Sequence, residues 1–282
     1  MEWNPPQNRF LRGIYLMARR YLRHNVAIQS AALAFYLLFM IFPFLIFFSA
    51  LLGLLQLDVA GILLALEEIL PRDVAGLIGM YLNYVRSAPS PHLLLFGLFF
   101  SIYFPMRATN SLMRAVRTAY HLGPPRGTFV HHLKTLGYTV LLIVTIALSL
   151  ALMTVGERLL GYAVDQLRLP VFFAETWARL RFPAAAAVGF FALFFLYALA
   201  QDVRQPWRNI WPGTLAALTA WMGLSWLYAF YVDNVANYSV LYGSIGTVIA
   251  LLIWLNMSAI VLIMGAEFNG TLISLRRDRE AV

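Results

Sequence analysis

Tyr242–Asn269 reads YGSIGTVIALLIWLNMSAIVLIMGAEFN. From Ile245 to Ala266 it holds no charged residue, which makes it long enough to cross a bilayer as a helix. Gly243, Thr247, Ala250, Trp254, Ser258, Val261 and Gly265 recur at three- and four-residue steps and so share one face. That face is small and weakly polar, which lets helices approach closely in lipid and exchange side-chain hydrogen bonds. Asn256 lies near the middle, and Glu267 follows eleven residues later, about 20° around the helix. An amide at mid-membrane and a carboxylate at the inner end cost free energy unless they meet protein or water. The face therefore reads either as a helix contact or as the wall of a substrate path.

Working outward, the composition is that of a membrane protein. Hydrophobic residues make up 61% of the chain and charged residues 12%, about half the charge of a soluble domain. The absence of cysteine excludes a disulfide framework, a thiolate zinc site and a cysteine nucleophile. Twenty of the 21 basic residues are arginine, and they flank the apolar runs. The net charge of +8 thus points to phospholipid surfaces rather than nucleic acid.

The chain is expected to be one all-α integral-membrane domain over 1–282. Residues 8–24 read as a basic amphipathic helix lying on an anionic leaflet, with Phe10, Ile14, Met17 and Tyr21 on its apolar face. Six transmembrane helices are expected at 26–55, 92–106, 135–155, 183–200, 212–232 and 244–268. The first is too long for a secretory signal core and reads as a retained span. Residues 56–91 carry two apolar stripes broken at Pro71 and read as outer amphipathic helices. Pro43 and Pro105 sit in aromatic-proline pairs that remove helix hydrogen bonds and mark candidate breaks. Gly243, Gly246 and Gly265 mark candidate close packing. Basic residues divide 15 to 6 between the two sets of connecting segments, and the richer set includes both ends of the chain. The expected topology is therefore multi-pass with both termini cytoplasmic.

Several segments resemble the YihY/BrkB family of bacterial inner-membrane proteins. They are Ser30–Tyr36 with Phe42-Pro43, Arg114–Tyr120, Tyr242-Gly243-Ser244, Trp254-Leu255 and Gly265–Asn269. The similarity runs from about residue 10 to 272. The resemblance implies a transporter or envelope-integrity factor, with lipid flipping among the roles described. It also implies that the old label of ribonuclease BN is an error.

No metal or catalytic signature accompanies the spans. His131 and His132 are adjacent and diverge on a helix, and no G-x-S-x-G, H-E-x-x-H or P-loop is present. The expectation is a non-enzyme with no cofactor, no metal and no nucleic-acid partner. Its partners would be membrane lipids, and its substrate an anionic amphiphile. The candidate transport path comprises Asn256, Glu267, Trp254, Ser258, Thr247, Arg107, Asn110 and Gln29. Glu267 is a candidate proton carrier on that path. The alternative is a scaffold that maintains the envelope and moves nothing.

Overall fold

The computed structural model describes residues 8–55, 76, 79–80, 91–123, 127–167, 172–201, 206–234 and 244–280. Among them are seven α-helices and no strand: α1 (Arg9–Arg23), α2 (Val26–Leu55), α3 (Pro91–Ala119), α4 (Thr128–Leu167), α5 (Phe172–Leu199), α6 (Trp211–Asn234) and α7 (Ser244–Glu280). A single 3-10 turn at Trp207–Asn209 leads into α6. The expected helices of 56–91 lie almost wholly outside the described residues, as does Gly243.

Among the described residues, five helices are long and apolar enough to cross a membrane, over Val26–Phe47, Phe129–Ile146, Arg179–Leu199, Trp207–Val232 and Ile245–Arg277. Helix α3 is apolar only as far as Pro105 and then carries Arg107, Arg114 and Arg117. It continues through Pro105 to Ala119, well beyond the expected end at 106. Helix α2 likewise runs through Pro43 without interruption. Alanine, methionine and arginine after Pro105 are strong helix formers, so nothing in the local sequence stops the helix there.

Helices pair as neighbours in the chain, α2 with α3, α4 with α5 and α6 with α7. The last helix also touches α1, α2 and α3, which makes α7 the central element. The interior is built largely from small residues: Ala34, Ala108, Ala115, Ala119, Ala217, Ala259 and Ala266 are buried. Large apolar side chains such as Phe39, Phe99, Val144, Phe191 and Trp226 face outward. Lipid is as apolar as leucine, so association depends on close backbone approach rather than on hiding grease.

Among the described residues four glycines permit that approach, Gly97, Gly213, Gly265 and Gly270; a Cβ on Gly213 would run into the Gly265 carbonyl and the Asn269 side chain. A Cβ on Gly97 would stand 2.6 Å from the Phe47 nitrogen of α2. One on Gly265 would stand 2.5 Å from both the Ala217 Cβ and the Tyr197 hydroxyl. One on Gly270 would stand 2.6 Å from the Arg20 guanidinium.

Candidate functional site

Helix α1 exposes Arg19 and Arg23 but turns Arg20 inward. The Arg20 Nη1 donates to the Ala119 carbonyl at 3.0 Å and to Glu267 Oε2 at 3.3 Å. Its Nη2 donates to Ser274 Oγ at 2.7 Å and to the Gly270 carbonyl at 3.3 Å, and lies 3.0 Å from His121 Nε2. The other carboxylate oxygen of Glu267 lies 2.5 Å from His24 Nδ1. Glu267 is fully buried, and both its oxygens have partners. A guanidinium and a carboxylate can be held out of water only when paired and hydrogen-bonded in this way. The cluster therefore pins α1, the end of α3 and α7 together. Gln29, on the candidate path, caps the turn beside it, its Nε2 donating to the His24 carbonyl at 2.6 Å. Asn25 supplies the left-handed residue of that turn (φ 51°), a conformation asparagine tolerates.

Sequence reasoning singled out Glu267 but not its partners. The available signal was the placement of Arg20 and His24 one turn apart, flanking Met17 at the edge of the apolar face of α1.

A second polar knot joins α7 to α6. Asn269 is fully buried, accepts from the Gly213 amide at 2.7 Å and donates to the Ile210 carbonyl at 2.8 Å. Asn269→Ala is expected to leave the buried Gly213 amide unpaired, while the Ile210 carbonyl keeps its bonds from Thr214, and to cost about 1–3 kcal/mol. Thermal stability in mild detergent would register this, and an unshifted melting temperature would contradict it.

The remaining path residues separate. The Trp221 Nε1 donates to Ser258 Oγ at 3.1 Å, and Trp254 Nε1 donates to Ser225 Oγ at 3.4 Å. These reciprocal bonds place Trp254 and Ser258 in the α6–α7 seam. Thr247 is half-buried and Gly246 buried near the start of α7. The Asn256 carbonyl oxygen is buried and has no partner among the described residues. Asn110 turns to α4, with His131 Nε2 at 2.9 Å from its Oδ1.

Arg107 faces outward instead. Its Nε donates to the Tyr103 hydroxyl at 3.1 Å, and the guanidinium lies 5.4 Å from the Tyr103 ring centre. Tyr103, Arg107, Ser111, Arg114 and Thr118 recur at three- and four-residue steps, so one outer stripe of α3 is polar down to its end. Exposed Phe96 and Phe99 continue it in the other direction.

The bonds of Arg20 to Ala119 and Gly270 set those two residues at one level. Trp207 and Trp211, both exposed near Ile210, mark the same level as a membrane interface. Arg107 is twelve residues from Ala119 and so stands about 18 Å along α3 from that level.

The sequence matches the family described as Virulence factor BrkB over residues 17–281, which is most of its length. The chain belongs to the BrkB family. Within it, this BrkB chain is 30% identical to the ribonuclease-like protein YfkH of Bacillus subtilis, over 90% of its own length and 92% of that protein's. It is 25% identical to the UPF0761 membrane protein of Chromohalobacter salexigens, covering 95% of itself but 64% of that longer relative. A UPF0761 membrane protein of Alkalilimnicola ehrlichii is 35% identical over 83 residues, only 19% of its length. No solved structure matches the chain. Among the described residues of this BrkB protein, no group of three or more histidines or carboxylates is placed to hold a metal ion.

Proposed function

We propose that the protein crosses a bacterial inner membrane six times, with both termini cytoplasmic, and moves an anionic amphiphile, a lipid or lipid-linked molecule, between leaflets. It does so as a transporter rather than as an enzyme. The observation that carries this reading is Arg107, exposed on α3 about 18 Å from the level of Trp207 and Trp211; a hydrocarbon layer about 30 Å thick would put it near mid-depth. An arginine at the centre of a membrane helix costs on the order of 3 kcal/mol unless water or an anion meets it. An anionic headgroup drawn along the Tyr103–Thr118 stripe would meet it, while acyl chains remain beside Phe96 and Phe99. The route then lies along the outer surface of α3, and Glu267 serves to hold the bundle together.

Six spans are supported by the close packing of α3 along α2, which carries α3 through the same layer. The scaffold reading draws on a different observation, the closed Trp–Ser pairs of the α6–α7 seam.

Reconstituted vesicles separate the two readings. The wild type is expected to accelerate translocation of fluorescent phosphatidylglycerol over protein-free vesicles. Arg107→Gln should slow it about tenfold, the worth of one charge-assisted contact. Wild-type vesicles no faster than empty ones would favour the scaffold. Equal rates for wild type and Arg107→Gln would remove Arg107 from the route.

A further inference from the structure

The cluster around Arg20 contains two histidines whose hydrogen bonds demand opposite things of them. The Glu267 carboxylate can only accept, so His24 Nδ1 carries a hydrogen and donates to it. A guanidinium can only donate, so His121 Nε2 must be bare to accept from Arg20. Protonation of His121 therefore abolishes its contact, whereas the contact of His24 with Glu267 needs no bare nitrogen. The two rings stand 5.8 Å apart, edge to face. His121 is exposed at the turn after α3, so solvent protons reach it. It is also held in the left-handed region (φ 55°), which a non-glycine residue occupies only at some cost.

We infer that this cluster is an acid-responsive latch. Acidification breaks the Arg20–His121 contact and loosens the turn after α3, which then keeps the Arg20–Ala119 and Arg117–Gly123 bonds, while α1 stays clasped to α7 through Glu267. The inference stands apart from the transport reading, since it concerns only which elements stay docked.

The groups facing His121 are Arg20 and Arg23 from α1, His24 from the turn after it and Glu267 from α7. On its own helix, Arg117 is turned away to the carbonyls of Gly123 and Ala200. Burial of its inner edge, and then the Arg20 charge, hold the His121 imidazole below its ordinary value of 6.5, with Glu267 opposing. The sign follows from that direction. The contact is complete above the ordinary value and is lost as pH falls through the lower, folded-state value.

The chain has no cysteine, so spin labels can be placed freely. In full-length protein in lipid nanodiscs, labels at Leu22→Cys and Gly123→Cys report the turn. Labels at Leu22→Cys and Arg277→Cys report the clasp. Between about pH 8 and pH 5, spanning the histidine range, the first distance is expected to lengthen with a midpoint below 6.5, and the second to hold. His121→Gln keeps an acceptor without a titrating ring, so the first distance should stay short throughout. His121→Arg should keep it long throughout. A first distance that ignores pH in the wild type, or lengthens equally in His121→Gln, overturns the latch. So does simultaneous lengthening of the second.

Discussion

Glu267→Ala is expected to lower the melting temperature in mild detergent by on the order of 10 °C, corresponding to about 3–5 kcal/mol. The substitution removes the carboxylate that faces both Arg20 and His24 and leaves a guanidinium buried with only neutral acceptors. An unpaired buried charge is what makes the change costly, since the pair itself is a modest net stabiliser. The double variant Arg20→Met with Glu267→Leu should therefore recover much of the loss. Recovery distinguishes a structural ion pair from a carboxylate kept for chemistry. If Glu267→Ala melts with the wild type, the cluster does not hold α1 to the bundle.

Gly97→Ala and Gly265→Ala form the second large effect. Each added methyl would meet atoms that cannot move aside: the Phe47 nitrogen and Cα in one case, the Ala217 Cβ and the bonded Tyr197 hydroxyl in the other. Tyr197 is anchored by donation to the Leu262 carbonyl at 2.5 Å, so it has no free rotamer to adopt. Overpacking of this kind costs about 1–3 kcal/mol per site. Gly137→Ala and Gly223→Ala serve as controls, because nothing lies within 4 Å of either position. In those helices alanine is the better helix former by about 1 kcal/mol. The series should divide by position, with 97 and 265 destabilised and 137 and 223 unchanged or raised. A uniform response at all four would mean that helix propensity, not helix approach, governs these sites.

Much of the architecture is legible in the residues because it depends on period and composition alone. The charge-free run of Ile245–Ala266 announces a span whatever it packs against, and the small-residue face of α7 announces a close contact. What the contact is made with depends on residues far away in the chain. Trp254 and Ser258 carry no sign that Ser225 and Trp221 await them on α6. Glu267 reads as a lone carboxylate until Arg20, 247 positions earlier, is brought beside it. The full length of α3 is hidden for a local reason. A proline followed by arginines looks like an exit from the membrane, yet Met106, Arg107 and Ala108 directly after Pro105 favour continuing the helix. Arg107 and Asn110 lie only about 60° apart around α3, so their different partners come from the edge of the α4 contact, which reaches Asn110 through His131 and stops short of Arg107.

The transport reading rests on a hydrated stripe along α3, and thiol accessibility measures it directly. Ser111 lies eight residues from Ala119, and Thr219 lies nine from Ile210, so the two sit at similar depth on different helices. In proteoliposomes, a membrane-impermeant maleimide is expected to label Ser111→Cys at a rate close to that of Arg114→Cys. Thr219→Cys, exposed on α6 to acyl chains, should remain unlabelled. Ser111→Cys as unreactive as Thr219→Cys would mean that lipid tails seal this face, and no headgroup travels along it.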